Sequence, residues 1–355
     1  MGYPPNPPQS RTLSRRRGSL LTSPYSTLVV ASASIYTSVW KIPSDVTRVR
    51  FRIADRDMLG IGGNAADHTS QKVACGQPNE ALTDWASSPQ LQTGLTYPAI
   101  GQWCTTDWFD AKPNAAGYIM VAWTVPAATV NAELSNYYGG VYKVGTDPTD
   151  LSGAATAANG PLAVLMEYDT DAIPLLWIGD SLPRGISATS TDSGLLNAYH
   201  RMWDSDGYAV QCNSVGGTSA ASWAARTNWM LPEIWFPYCQ DANVFISLAF
   251  NDIAVGASAS TIIGNLQSIY RDAKALGAKR VVYCTCSPSS TLTGPQNTQR
   301  GLLNPWVRGS QDYLDIDALV RDPNSVNQLL HPATGNIHWQ TASYTDIINA
   351  FPALS

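Results

Sequence analysis

The sequence is poor in charged residues and has no long apolar run. Asp, Glu, Lys and Arg make up 14% of its 355 residues. No stretch of about 18 apolar residues occurs, so we expect no transmembrane helix and no membrane insertion. Apolar residues form 44% of the chain, which is enough for a sizeable core and argues against disorder. A net charge of −5 argues against nucleic acid or an anionic membrane surface as a partner, because both need a basic face.

Cysteine is also scarce, and the usual metal-binding spacings are missing. The six Cys include no Cys-x-x-Cys pair and no His-Glu-x-x-His motif occurs, so we expect no metal and no cofactor. Residues 60–64 are rich in Gly but lack the Lys of a phosphate-binding loop, which indicates a turn. Cys284 and Cys286 lie in an apolar run and are expected in the core. Whether Cys75 and Cys104 pair is left open.

Three segments of different composition follow one another along the chain. Residues 1–24 are rich in Pro and Arg, which predicts a flexible lead. Residues 14–21 resemble a twin-arginine export signal, but Ser, Thr and Pro24 interrupt the sequence before a long apolar region forms. A tether is therefore favoured over a signal. Residues 25–170 and 171–355 form two domains with different hydrophobic periodicity.

Residues 25–170 have the pattern of β-strands. The runs with this pattern are 35–42, 47–53, 117–125 and 140–144. Long loops rich in Gly, Asn and Pro separate the runs, no amphipathic helix is evident, and residues 154–161 indicate a loop near the domain boundary. This pattern predicts an N-terminal β-sandwich that resembles a jelly roll.

From residue 171 onward, apolar runs alternate with helical stretches. The runs that predict strands are 173–178, 208–212, 244–248, 280–283 and 313–317. Helical periodicity is clearest at 260–276, which ends at Gly277. Strands that alternate with helices predict an α/β domain with a parallel sheet, whose active site lies at the carboxyl ends of the strands.

Polar clusters follow the first three of these runs, and a fourth cluster lies near the C-terminus. The clusters are Gly179-Asp180-Ser181-Leu182, Asn213-Ser214-Val215-Gly216-Gly217, Ala249-Phe250-Asn251-Asp252 and Gly335-Asn336-Ile337-His338. A serine hydroxyl becomes a good nucleophile when a base takes its proton. A tetrahedral intermediate needs fixed hydrogen-bond donors for its oxyanion. Ser, His, Asn and Gly at strand ends can supply these groups.

The four clusters, in this order, resemble the four sequence blocks of the GDSL or SGNH hydrolase family over residues 172–355. The resemblance implies a three-layer, flavodoxin-like hydrolase domain and a serine esterase activity. It implies Ser181 as the nucleophile and His338 as the base. The implied oxyanion hole consists of the Ser181 N–H, the Gly217 N–H (with Gly216 as the alternative) and the Asn251 side chain. Family members use the residue equivalent to Asp180 to brace the site.

Two positions depart from the family pattern. Ala249 stands where the third block usually begins with Gly, and Gly335 stands where an Asp usually precedes the His by three residues. That Asp normally accepts the Nδ1–H of the imidazole. Its substitutes here are a backbone carbonyl, Asn336, Asp315, Asp317 or Asp322.

Three further histidines compete with His338 for the role of base. His331 lies in a similar block, but Gln328 occupies the Asp position there. His338 is preferred because residues 337–340 and the helical stretch 342–350 better match the closing loop and helix of the family. His200 is expected to be structural within a helix, and His68 to lie on a surface loop.

The leading hypothesis is an esterase that removes short acyl groups, O-acetyl above all, from a polysaccharide. A β-sandwich before such a hydrolase domain resembles carbohydrate esterases and bacteriophage tail enzymes. The 12 Trp and 16 Tyr offer flat faces for sugar rings, or else fill the β-sandwich core. One alternative is a glycan-binding or virion structural module with an inactive hydrolase domain, and another is a lipase or thioesterase. We expect an acylated polysaccharide or small ester as partner, an extracellular or virion-associated location, and membership of a larger particle or a homo-oligomer.

Overall fold

Antiparallel strands make up the first half of the chain. The computed structural model describes residues 15–21, 23–29, 32–54, 67–98, 103–127, 130–133, 141–156, 163–184, 208–214, 217–225, 238–332 and 337–350. The strands before residue 171 are β1 (Arg15–Leu21), β2 (Ser23–Val29), β3 (Ser34–Lys41), β4 (Arg48–Ala54), β5 (His68–Gly76), β6 (Gln90–Tyr97), β7 (Trp103–Thr105), β8 (Phe109–Asp110), β9 (Tyr118–Val125), β10 (Val130–Glu133), β11 (Val141–Val144), β12 (Ala155–Thr156) and β13 (Ala163–Thr170). Their sheets have the strand orders β1-β13-β4-β7 (with β8 also on β4), β10-β2 and β12-β11-β3-β9-β5-β6.

The two larger antiparallel sheets share one apolar core. Phe51 and Met166 of one sheet lie in the same buried cluster as Val73 and Trp123 of the other. Along β4, apolar residues that face this cluster alternate with arginines that do not, as expected of a strand with one buried face. Two sheets thus pack on a common core, while the jelly-roll connectivity stays a prediction.

The predicted flexible lead is too long. Residues 15–21 form β1, which pairs along its whole length with β13, and residues 23–29 form β2. The Arg-rich run has no alternating apolar signal, and only its pairing partner, about 150 residues further on, reveals the strand. The predicted loop at 154–161 is likewise interrupted by β12, which pairs with β11.

A parallel sheet follows residue 171. Its strands are β14 (Ile173–Gly179), β15 (Tyr208–Ser214), β16 (Asn243–Ser247), β17 (Arg280–Cys284) and β18 (Tyr313–Leu314). The helices are α1 (Ser181–Arg184), α2 (Ala220–Ala224), α3 (Phe250–Ala254), α4 (Ala259–Ala275), α5 (Gly294–Arg308), α6 (Ile316–Val320) and α7 (Thr341–Asn349). All strand pairs in this sheet are parallel, and the strand order is β15-β14-β16-β17-β18.

This strand order confirms the predicted flavodoxin-like sheet. Numbered within the sheet, the strands run 2-1-3-4-5, which is the flavodoxin-like order. The order reverses between β14 and β16, and ligands of such sheets bind in the crevice outside the carboxyl ends of the strands at this point. The residues that follow β14 and β16 are therefore the first place to look for a site.

The helix expected at 260–276 is α4, but the fifth predicted strand is shorter than expected. The Ser258 side chain caps α4 by accepting from the Thr261 N–H, and the helix ends before Gly277, whose φ is 88°. Only Tyr313–Leu314 of the run 313–317 is strand. The Asp315 side chain accepts from the Ala318 N–H at 3.3 Å, and this cap begins α6.

The cysteine side chains that the structure describes are buried in both halves. Cys75 and Cys104 are free thiols, so no disulfide joins them. Cys284 and Cys286 are buried free thiols, as expected of core residues. In the described part of the chain no three or more His, Cys, Asp or Glu residues are grouped so as to hold a metal. No helix there is long and apolar enough to span a bilayer.

The expectation that His68 lies on a surface loop is wrong. His68 is the first residue of β5 and pairs with Tyr97 of β6. The expected turn at 60–64 and His200 with its helix lie outside the described residues.

A buried carboxylate connects β13 with the part of the chain that carries the parallel sheet. Glu167 is 4% exposed. Its carboxylate accepts from Arg50 Nε at 2.6 Å and from the Tyr238 hydroxyl at 2.7 Å, and Arg52 lies 3.8 Å away. Arg52 also stacks over the ring of Trp103. Since a buried charge is costly without partners, Tyr238 is part of what allows Glu167 to be buried here.

We expect Tyr238→Phe to lower the free energy of unfolding by about 2 kcal/mol, because a hydrogen bond to a charged group contributes roughly 1.5–3 kcal/mol. Equilibrium urea denaturation measures this. Tyr313→Phe is the matched control, since Tyr313 is 42% exposed on an edge strand. Equal stability of both variants and the wild type would show that the Tyr238 hydroxyl contributes nothing.

Candidate active site

Ser181 lies at the carboxyl end of the strand where the sheet order reverses. β14 ends at Gly179, and Ser181 is the first residue of α1. Gly179 has no room for a side chain, because a Cβ would collide with Pro183 and lie 3.0 Å from the carbonyl oxygen of Ser247. The missing side chain lets the turn pack closely against the neighbouring strand and leaves Ser181 half-buried at the sheet edge.

The structure brings His338 close to Ser181, although the two residues are far apart in the sequence. His338 Nε2 lies 3.2 Å from Ser181 Oγ, which is hydrogen-bond distance. Burial lowers the pKa of His338 from its ordinary value. The imidazole is therefore neutral at neutral pH, with a ring nitrogen able to accept the serine proton.

Several contacts connect the segment around His338 with the turn that carries Ser181. Trp339 is 1% exposed and forms a β-bridge with Pro332. Its ring meets that of Tyr344 in α7 edge to face, with centroids 5.4 Å apart. The Tyr344 hydroxyl donates to the carbonyl oxygen of Leu182 at 2.7 Å. Tyr344 thus connects the helix after His338 with the residue after Ser181.

The acids considered as replacements for the missing Asp are engaged elsewhere. Asp315 binds Arg308, and Asp317 binds Arg300 and Arg308. Asp322 accepts from the Asn324 N–H at 2.8 Å in a turn. Within the described ranges, no carboxylate pairs with His338.

Two kinds of residue close to His338 in sequence remain from the sequence analysis: the possible partners of its imidazole and the rival base His331. Gly335 and Asn336 lie outside the described residues. His331 is half-buried, and its carbonyl oxygen accepts from the Gln340 N–H at 3.3 Å. The structure brings His338, and not His331, to the serine.

Asn251 joins the ends of two strands. It lies in α3, after β16, and its Nδ2 donates to the carbonyl oxygen of Thr218 at 2.8 Å. Thr218 follows Gly217, which is exposed with a φ of 74°. Trp223 Nε1 donates to Thr218 Oγ1 at 3.0 Å. Asn251 and the Gly217 turn are thus held side by side, while Gly216 lies outside the described residues.

Asp252 is a positioning residue that the sequence patterns did not assign. It is 2% exposed, and its carboxylate accepts from the N–H groups of Ala220 at 2.7 Å and Ala221 at 3.1 Å. These bonds attach the start of α2 to the start of α3. The sequence signal for this role was an Asp directly after the Asn of the third cluster. The groups that Asp252 binds follow a different strand, so the spacing of residues in the sequence could not identify them.

Asp180 stabilises the turn that carries Ser181. It is 1% exposed, and its carboxylate accepts from the Leu182 N–H at 2.9 Å. Burial raises the pKa of Asp180 to about 7, and the Asp252 carboxylate adds to the rise. Its side chain bonds to the backbone of the turn, so it is not the acid that orients His338.

The departure at Ala249 carries a conformational cost. Ala249 precedes α3 with φ 108° and ψ −24°, a left-handed conformation that L side chains rarely adopt. A Gly at this position, as in the family pattern, would adopt it freely. The turn that carries Asn251 is therefore strained in this chain.

We expect Ala249→Gly to raise the free energy of unfolding by about 1 kcal/mol, because a left-handed conformation costs a non-Gly residue roughly 1–2 kcal/mol. The control is Ala318→Gly at an exposed position inside α6, which should lower stability by about 0.5–1 kcal/mol. Urea unfolding of the two variants measures the difference. A loss of stability in both would contradict the strain at Ala249.

Comparisons with known proteins give structural neighbours only. No protein-family model matches the sequence, and no curated protein matches it. The chain is similar to a lipolytic G-D-S-L family member from Veillonella parvula (15% identity, TM-score 0.41, 50% of this chain and 96% of that one). It is similar to a lipase/acylhydrolase from Enterococcus faecalis (14% identity, TM-score 0.41, 50% and 92%). It is also similar to a catalytic mutant of Axe2, an acetylxylan esterase from Geobacillus stearothermophilus (17% identity, TM-score 0.40, 50% and 92%). Each solved structure corresponds to half of this chain.

Proposed function

We propose that the protein is a serine ester hydrolase. The observation that carries the proposal is the 3.2 Å contact between His338 Nε2 and Ser181 Oγ at the topological switch point of the sheet. A nucleophile within reach of a neutral imidazole is the arrangement that acyl transfer requires. The nearby Asn251 amide and Gly217 turn supply hydrogen-bond donors to the same edge.

The reaction proceeds in two acyl transfers. Ser181 Oγ attacks the ester carbonyl carbon while His338 Nε2 takes the hydroxyl proton, and a tetrahedral oxyanion forms. Collapse breaks the bond to the alcohol oxygen, which leaves with the proton from His338. Water then attacks the acyl-enzyme, His338 takes its proton, and the carboxylic acid leaves as the proton returns to Ser181.

The oxyanion is stabilised by donors that are positioned before the reaction begins. One N–H of the Asn251 amide is held by the Thr218 carbonyl, which fixes the plane of the amide and leaves its second N–H for the oxyanion. The backbone N–H groups of Ser181 and Gly217 are the other donors. Asp252 and Asp180 act by holding these turns in place.

The proposed substrate is a short acyl ester, O-acetyl above all, on a polysaccharide. The order of the two halves supports a glycan substrate. The Trp and Tyr rings support it only where they reach the surface, because several of them, among them Trp40, Trp123 and Trp177, are buried in the cores. Esters of long lipids fit less well, because the sequence has no long apolar lid segment. Attachment to a larger extracellular particle belongs to the same proposal and is supported by the Pro-rich stretch that precedes β1 in the sequence.

The test is hydrolysis of p-nitrophenyl acetate and p-nitrophenyl octanoate by the wild type and four variants. Ser181→Ala and His338→Ala should lose turnover, and Asn251→Ala should lower kcat by about 10²–10³-fold through loss of one oxyanion donor. His331→Ala is the matched control and should retain wild-type turnover. Acetate should be preferred over octanoate. Turnover that survives Ser181→Ala would overturn the mechanism, and no turnover by folded wild type would favour a glycan-binding module.

The acid limb of the pH profile should lie lower than that of an ordinary histidine. Neutral His338 is the active form, and burial lowers its pKa, so the imidazole stays neutral to lower pH. The kcat/KM should therefore rise with pH to half its maximum below 6.5, the usual imidazole pKa. Initial rates from about pH 4 to 8 measure this. A midpoint above 6.5, or full activity at about pH 4, would contradict His338 as the base.

A further inference from the structure

A cavity lies on the parallel sheet at some distance from the candidate active site. Its volume is about 390 Å³, within the range of roughly 300–1,000 Å³ typical of ligand pockets. It is bounded by α4, α5, β17 and the turn before β18. Val281, the second residue of β17, and Asp312, which directly precedes β18, line it, so the cavity is close to the amino ends of these two strands. Ser181 follows the carboxyl end of β14, at the opposite edge.

Three aromatic side chains in contact with one another line the cavity. Tyr270 and Tyr283 are stacked with ring centroids 5.5 Å apart, and Trp306 meets Tyr283 at 5.1 Å. Tyr283 is buried, whereas Tyr270 and Trp306 are half-buried and pack against the core from one side. Aromatic rings that are fixed by packing on one side offer a rigid apolar surface on the other.

The rest of the cavity lining is largely polar. Gln267, Arg271 and Gln311 line the cavity and are exposed. None of these three side chains forms a hydrogen bond or ion pair with another described residue. Asp312 also lines the cavity, but its carboxylate is already bound to Arg280 at 2.6 Å. The amide and guanidinium donors are thus available to a ligand.

We propose that this cavity binds a neutral pyranose unit of a glycan chain. A pyranose ring has an apolar C–H face that packs on an aromatic wall and an equatorial rim of hydroxyls. Gln267 and Gln311 can donate to and accept from those hydroxyls, and Arg271 can donate to them. The described lining has one unpaired cation, which is too few for a phosphate or a polyanion to be the preferred ligand.

The site is a second point of attachment, separate from the chemistry at Ser181. A glycan held here raises the effective concentration of other parts of the same polymer at the protein surface. The inference does not depend on esterase activity, because binding at this cavity would occur with or without hydrolysis. It gives Tyr270, Tyr283 and Trp306 a role in addition to packing against the core.

The test is isothermal titration with cellohexaose, xylohexaose, mannohexaose and chitohexaose. We expect at least one of them to bind the full chain with a Kd of about 1 mM or tighter. Trp306→Ala should weaken this binding by on the order of tenfold or more, since aromatic anchors dominate such sites. The double variant Gln267→Ala/Gln311→Ala should weaken it too, and it changes only exposed side chains, so folding is not at risk.

Two controls separate this site from the active site. Leu302→Ala, at a 59% exposed position on the same helix α5, should bind as the wild type does. Ser181→Ala should also retain binding, and hydrolysis of p-nitrophenyl acetate should be unchanged in the Trp306 and Gln variants. No binding by the wild type to any of the four oligosaccharides, or binding that survives both cavity variants, would overturn the proposal.

Discussion

Three of the four groups of the candidate site depend on how β14 pairs at its last residue. Gly179 is in register with Ser214 of β15 on one side and with Ser247 of β16 on the other. Ser181, the Gly217 turn and the Asn251 turn follow within a few residues of these three paired positions. Their separation is therefore set by the hydrogen-bonded spacing of parallel strands, about 4.8 Å, and not by the flexibility of loops. A side chain at Gly179 would push β14 away from β16 and move Ser181 relative to Asn251.

Buried carboxylates then hold the three turns together. Asp252 bridges the second and third turns through two backbone N–H groups, and Asp180 holds the first turn through the Leu182 N–H. Backbone donors stabilise a carboxylate without adding a mobile counter-charge near the serine. The two acids also repel each other, and the raised pKa of Asp180 reflects that repulsion on top of its burial. The buried carboxylates thus make the site rigid, although burying them costs folding free energy. Such costs are common at functional sites, where a fixed geometry matters more than stability.

Sequence patterns predicted the parallel sheet well because its strands are buried and its functional residues follow them directly. The run at 173–178 and the Gly-Asp-Ser cluster after it lie in the structure where the pattern puts them. Sequence patterns failed where a residue or strand outside the pattern itself decides which secondary structure forms. β1 forms from an Arg-rich run because β13 pairs with it. The strand expected at 313–317 stops after Leu314 because the Asp315 side chain caps α6. Asp252 could be seen as part of a motif, but only the folded chain shows that it holds α2.

The arrangement around His338 also bears on which bond the site can cleave. In a triad, the carboxylate stabilises the imidazolium that forms when serine attacks. Within the described ranges, no carboxylate pairs with His338, and burial lowers its pKa. Such an imidazole stays deprotonated to lower pH and can therefore accept a proton there. It is also a weaker base, so the imidazolium that forms on serine attack is less stable. An ester places a smaller demand on that charged state than an amide does, because an alcohol leaves more readily than an amine. The chemistry of the base and the proposed acyl ester substrate therefore agree, and the proposed oxyanion donors at Asn251 and Gly217 would stabilise the negative charge of the same transition state.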